Sequence, residues 1–182
     1  MSAANKVLIV GGGVAGLAVA IGLHNKGVGV EVVEKNADWS VYHVGIIVQA
    51  NFVRALAQLG VGDAAVKAGF AYKGARFMSM DGTIIAELPG ESAADGFPGD
   101  LGLTRPALHT VLTDKVKELG IPVRLGVTFE SFNDTGDAVD VTFTDGTSGS
   151  YDLLIGCDGN YSAVRKVLWP DATPKYTGQG VW

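Results

Sequence analysis

Short apolar runs alternate with glycine-rich breaks along this chain. Residues 6–10, KVLIV, are a β-branched run suited to a strand buried on both faces. A glycine turn follows, and an Ala- and Leu-rich segment from Val14 to about Asn25 has helical spacing. Residues 28–34, VGVEVVE, read as a second strand, which makes the opening a βαβ unit. In NFVRALAQLG, residues 51–60, Phe52, Leu56 and Leu59 share one helical stripe that closes at Gly60. From Pro106 to Leu119 the residues Leu108, Val111, Leu112, Val116 and Leu119 recur at helical spacing, and Gly120 and Pro122 end that helix.

Other stretches have the period of strands. Residues 74–88 contain an Asp81–Gly82 turn between two strand-like runs and predict a β-hairpin, followed by a loop, PGESAADGFPGD. VRLGVTFESF and DAVDVTFTDGTSGSYDLLIG predict strands joined by turns, one of them at Asp145 and Gly146. Alternation of β and α points to an α/β fold with a parallel sheet, the hairpin opening an inserted antiparallel element. The uncharged run from residue 7 to 23 has the apolarity of a signal peptide or a marginal span. Its five glycines disfavour one continuous helix, and the βαβ plan accounts for it better.

Composition narrows the class. At 182 residues, with 47% hydrophobic and 18% charged positions, the chain is long enough for a well-packed core. Its 14 Lys and Arg against 19 Asp and Glu are scattered, so no basic stripe suggests a nucleic-acid partner. The lone cysteine, Cys157, excludes an intrachain disulfide and a multi-thiolate metal site, and fits a reducing, cytoplasmic compartment without a membrane partner. His24, His43 and His109 show no metal-ligand spacing, so no metal is expected.

Two motifs carry chemistry. Gly11, Gly13 and Gly16 match G-x-G-x-x-G between a strand and a helix, with Val14 and Ala15 opening that helix. The first glycine permits the tight turn, the second lets a pyrophosphate approach the backbone, and the third lets helix pack on strand. Free N–H groups at the helix start face the anion. Glu34, at the end of the second strand, is placed to accept hydrogen bonds from ribose hydroxyls and disfavours a 2′-phosphate, which suits FAD or NAD better than NADP.

The second motif is LLIGCDGNYSAVR, residues 153–165. If YDLLIG runs parallel beside the first strand, Asp158 emerges at the carboxyl edge of the sheet, where ligands of open α/β folds sit. Its carboxylate then either accepts from a sugar hydroxyl or a water while amides from Gly159 onward meet phosphates, or it belongs to an Asp-Gly turn with Ser162 capping a helix.

LLIGCDGNYSAVR resembles the DG motif of single-component flavoprotein aromatic hydroxylases, the family of p-hydroxybenzoate and salicylate hydroxylases. The resemblance implies that Asp158 and Gly159 lie near the FAD pyrophosphate and, transiently, NAD(P)H, with Arg165 helping to hold the motif. GLTRPALHTVL resembles the family segment whose arginine, here Arg105, reaches the ribityl and phosphate region. The first turn and Glu34 match the FAD fingerprint, and Lys35 stands where a basic residue often borders the adenosine. HVGII, residues 43–47, resembles the loop whose Gly45 and Ile46 backbones approach the flavin ring. Four such matches run in the family's order.

The implied organisation is a Rossmann-like FAD-binding domain from residues 1–73 and 101–172, with residues 74–100 and 173–182 beginning a substrate-binding domain. The implied reaction hydroxylates a small, phenol-like aromatic substrate with NAD(P)H and O₂. Family members are usually much longer and carry a second Gly-Asp motif absent from this sequence, so an N-terminal portion is expected. No catalytic residue is assigned. His43 is the nearest candidate base, though a packing or phosphate-contacting role suits it better; His109 is expected on a helix surface, and Tyr72 and Phe77 beside a substrate cavity or in the core. Alternative readings are another FAD-dependent reductase or oxidase on the same scaffold, or a non-catalytic dinucleotide-binding module.

Overall fold

A computed structural model describes residues 5–90, 92 and 96–180. In chain order its elements begin with β1 (Lys6–Val10), α1 (Val14–His24) and β2 (Gly29–Glu34). Next come β3 (Gly45–Val48), α2 (Ala50–Gln58), α3 (Gly62–Ala68), β4 (Phe70–Tyr72), β5 (Gly74–Met78), β6 (Ile84–Pro89), β7 (Asp100–Thr104) and α4 (Arg105–Glu118). The chain continues through β8 (Val123–Leu125), β9 (Phe129–Asp134), β10 (Val139–Phe143), β11 (Ser148–Tyr151), β12 (Leu153–Gly156) and α5 (Ala163–Leu168). It divides into two compact units, residues 1–39 with 121–182, and residues 40–120.

The first unit is built on a parallel sheet of order β12-β1-β2-β8. Val7 to Val10 are all buried, as a strand with neighbours on both sides and cover on both faces requires. β12 pairs parallel with β1, Leu8 opposite Leu154 and Val10 opposite Gly156, which is the arrangement supposed for YDLLIG. A second, antiparallel sheet, β11-β10-β9, turns at Asp145–Gly146 and packs Phe129, Val141, Phe143 and Tyr151 against Leu8, Val10 and Val33. The two sheets are also tied by charge. Arg124 on β8 reaches Glu31 at 3.3 Å, Asp145 at 2.6 Å and Thr147 at 2.6 Å, and lies 4.3 Å from the Phe143 ring centroid. The Tyr151 phenol donates to Glu31 at 2.8 Å.

The second unit holds an antiparallel sheet of order β3-β7-β4, the separate hairpin β5-β6, and helices α2, α3 and α4. The HVGII segment, expected as a loop, is a strand from Gly45. Val48 is buried, and the segment pairs along β7 with Gly45 opposite Thr104 and Ile46 opposite Leu103. A four-residue strand has too short a period to announce itself in sequence. The buried stripe of α2 centres on Val53 and Leu56, with Phe52 and Leu59 half-buried at its margins. On α4 the buried arc is Leu108, His109, Leu112, Thr113 and Val116, so His109, at 4% exposure, is an interior residue rather than a surface one. Apolar residues alone mark only part of that arc; the i, i+4 pair His109 and Thr113 widens it. The hairpin is the one predicted at residues 74–88, and its residues Phe77, Met78, Ile84, Ile85 and Leu88 are exposed.

Candidate dinucleotide-binding site

The site in the first unit lies at the carboxyl ends of β12, β1 and β2. Gly11 leaves β1 with φ +112°, and its N–H donates to Val33 on β2 at 2.8 Å. On its other side Cys157 N–H donates to the Val10 carbonyl at 2.7 Å. A Cβ at Gly11 would stand 2.4 Å from the Cys157 carbonyl oxygen, and one at Gly16 would stand 1.9 Å from the Gly11 carbonyl oxygen. These glycines let three backbone segments meet where no side chain fits. The two motifs, nearly the whole chain apart, therefore adjoin at one rim of the sheet.

Gly13 behaves differently. It is the N-cap of α1 in extended conformation, without a side-chain cap, and a Cβ there would meet nothing within 4 Å. The first turn of α1 holds no acidic residue, and its first intrahelical bond runs from Leu17 N–H to the Gly13 carbonyl at 3.0 Å. The amides of Val14, Ala15 and Gly16 precede that bond and have no intrahelical acceptor. Open space above a row of unpaired donors at a helix start fits a phosphate group. A pyrophosphate is thus a chemical match for the turn.

Glu34 sits at the end of β2 with both oxygens engaged by backbone: Oε2 accepts from Gly12 N–H at 2.8 Å and Oε1 from Asn36 N–H at 2.9 Å. Each carboxylate oxygen retains a second lone pair for a ribose hydroxyl. Lys35 is exposed beside it. Trp39, which no sequence motif singles out, donates its indole N–H to the Gly12 carbonyl at 2.8 Å.

Asp158 is turned onto α5. Its Oδ1 accepts from Ser162 Oγ at 2.5 Å, and its Oδ2 accepts from the N–H groups of Ala163 at 2.6 Å and Val164 at 3.2 Å. Ser162 Oγ accepts in turn from Arg165 N–H at 2.9 Å, and the Arg165 guanidinium donates to the Asn160 carbonyl at 2.6 Å. The turn with Ser162 capping a helix is thus present, the Asp158 carboxylate joins that cap, and Gly159 takes φ +84° beside it and is exposed. Gly156 is needed for the same closure, since a Cβ there would come within 2.8 Å of Val164. The neighbouring Cys157 thiol is pushed up in pKa by burial and then by the Asp158 charge, which keeps it a neutral thiol rather than a reactive thiolate.

The remaining candidates gather in the second unit. Arg105 opens α4, behind Thr104, whose hydroxyl caps the helix by accepting from Ala107 N–H at 3.2 Å. Arg105 N–H donates to the Val44 carbonyl at 2.8 Å, next to Gly45 and Ile46, so these three are neighbours. A shallow concavity of about 520 Å³ is lined by Gly45, Ile46, Phe70, Leu103 and Thr104 among others. His43 is exposed. Tyr72 faces Asp100 across β4 and β7, and its pKa is raised by burial and then by that carboxylate. Among the described residues no group of His, Cys, Asp and Glu is arranged to hold a metal ion, and no helix is long and apolar enough to cross a membrane.

A parallel sheet whose first strand ends in an N–H-rich glycine turn, with an acid closing the next strand, defines a dinucleotide-binding α/β domain. The chain belongs to the FAD binding domain family, whose profile matches residues 4–174. It is 32% identical over 176 residues to 2-heptyl-3-hydroxy-4(1H)-quinolone synthase of Pseudomonas aeruginosa, covering 97% of this chain and 45% of that protein. It is 36% identical over 180 residues to 3-amino-4-hydroxybenzoate 2-monooxygenase of Streptomyces cremeus, with the same two coverages, 97% and 45%. Among solved structures, 2-methyl-3-hydroxypyridine-5-carboxylic acid oxygenase in its tetrameric form matches with TM-score 0.77 and 25% identity, over 92% of this chain and 43% of that one. A Diels-Alderase of pyrroindomycin biosynthesis matches with TM-score 0.74 and 28% identity, over 89% of this chain and 34% of that one. The chain thus spans about half or less of the length of the curated relatives it matches.

Proposed function

We propose that this chain is the FAD-holding part of a monooxygenase that hydroxylates a small, phenol-like aromatic substrate with NAD(P)H and O₂. The observation that carries the reading is the meeting of the Gly11–Gly16 turn with the Cys157–Gly159 segment at the carboxyl rim of one parallel sheet. Relatives whose names specify hydroxylation or monooxygenation of substituted benzoates support the choice of reaction.

In this reading the amides of Gly13, Val14, Ala15 and Gly16 bind the pyrophosphate, Gly11 supplies the turn, and Glu34 accepts from the adenosine ribose while Lys35 borders it. Asp158, by capping α5, fixes the backbone that presents the Gly159 amide. The Gly45 and Ile46 backbones and Arg105 serve the flavin end. Bound FAD supplies electron transfer from NAD(P)H to O₂; the protein orients the reactants and excludes water. Residues 74–100 and 173–182 belong, in this reading, to a substrate-binding domain distinct from residues 1–73 and 101–172, and the compartment is the cytoplasm.

A second reading, a flavoprotein of other chemistry on the same scaffold, is favoured by the likeness to a Diels-Alderase. Two measurements separate them. FAD titration should give a bound flavin absorbing near roughly 450 nm, with NAD binding more weakly. With ¹⁸O₂, NAD(P)H consumption stimulated by 3-hydroxybenzoate or a 4-quinolone should place label in the product. Bound flavin without label in any phenolic probe favours the second reading; indifference to FAD overturns both.

A further inference from the structure

Gly12 fills the first unspecified position of the glycine turn, and both of its backbone polar groups are held by side chains. Its N–H donates to Glu34 Oε2 at 2.8 Å and its carbonyl accepts from the Trp39 indole at 2.8 Å. The Glu34 carboxylate is fixed on its other oxygen by Asn36 N–H at 2.9 Å. A Cβ on Gly12 would lie 2.8 Å from Trp39 Nε1 and 3.0 Å from Glu34 Cβ. The indole therefore occupies space that only glycine leaves, and the two backbone polar groups of one turn residue are clamped by the end of β2 and by the segment that follows it.

We infer that Trp39 is a positioning residue for the adenylate half of the cofactor: its indole N–H fixes the Gly12–Gly13 peptide, beside the Gly11–Gly12 peptide that donates to Glu34, and so sets the spacing between that carboxylate and the neighbouring turn amides. This rests on the FAD reading above and deepens it. An acceptor for ribose and donors for phosphate act together only when the turn and the strand end keep one spacing, and a residue whose two flanking peptides are each held by a hydrogen bond is restrained from rotating to release either. The ring stands where a less bulky residue would leave the turn free to flip.

The test compares ADP and FAD binding in the wild type, Trp39→Phe, Trp39→Ala, Gly12→Ala and the pair Gly12→Ala with Trp39→Ala, with thermal unfolding followed for each. ADP is informative because it lacks the flavin and so reads the adenylate end alone. Trp39→Phe keeps a ring but not the N–H. It is expected to weaken ADP and FAD by the same factor, roughly 3- to 10-fold, as for loss of one hydrogen bond, with a melting temperature close to wild type. Gly12→Ala is expected to weaken ADP more in the presence of Trp39 than in the Trp39→Ala background, because the clash is with the indole. Unchanged ADP affinity in Trp39→Phe, or equal Gly12→Ala effects in both backgrounds, overturns the positioning role and leaves the FAD reading intact. A fall in melting temperature with unchanged affinity of the folded fraction also overturns it, as a purely structural role. Wild-type protein that binds neither ADP nor FAD overturns the FAD reading and this inference with it.

Discussion

Gly16 and Gly13 are both glycines of one turn, but they are glycine for opposite reasons. At Gly16 an added methyl would run into a backbone carbonyl at 1.9 Å, which no rotamer change relieves. Gly16→Ala is expected to cost about 3 kcal/mol or more of folding stability, read from urea unfolding. At Gly13 the added methyl meets open space, and the backbone already has an extended conformation open to any residue. Gly13→Ala should therefore lose under about 1 kcal/mol of stability, while FAD affinity falls about tenfold or more because the methyl enters the phosphate's space. A variant that keeps both stability and affinity would remove Gly13 from the site.

At the scale of elements, α5 is only six residues long and depends on its start. Asp158 and Ser162 together satisfy the N–H groups of Ala163, Val164 and Arg165. Asp158→Ala is expected to cost about 1 kcal/mol in urea unfolding, and Asp158→Asn less, since the amide oxygen still accepts. The charged cluster between the two sheets sets the pH response. The Asp145 carboxyl is held down to about 2, first by the Thr147 hydroxyl and then by Arg124. A depressed acid stabilises the fold above its ordinary value near 3.8, and that contribution is lost as pH falls toward about 2. The Tyr151 phenol is pushed well above its ordinary 10.0, by burial first and then by Glu31. A raised group has the opposite sign: its contribution is complete below about pH 10 and is lost as pH climbs toward the folded value. Tyr151→Phe should therefore flatten the alkaline limb of a stability–pH profile, at a neutral-pH cost of about 1 kcal/mol. Asp145→Asn should flatten the acid limb alone.

For the whole molecule, what sequence reveals follows the range of the forces involved. The β1–α1–β2 unit was legible because strand, glycine spacing and terminal acid lie within 34 residues and each has its own local signature. The parallel docking of β12 could only be supposed, from an apolar run that ends in the same kind of glycine stop, because the partner strand lies nearly the whole chain away. Strand β3, helix α3 and strand β7 were not, since four to seven residues give no period to count and their burial is decided by distant partners. Trp39 was illegible for a related reason: nothing near it in sequence says that its indole will find a carbonyl 27 positions back. An Asp-Gly turn with Ser162 as the helix cap was one of two local options, while the share that the Asp158 side chain takes in that cap emerged only with the geometry of α5.

The register of β1 against β12 also has a meaning in time. The rim at Gly11 has one side made with residues 11–16 and another made only when residue 157 has been added. At ordinary elongation rates of about 5–20 residues per second, the nascent chain waits on the order of ten to thirty seconds with its nucleotide rim half assembled. Any ribosome-bound intermediate shorter than that is expected to be blind to the cofactor, however well its first helix has formed.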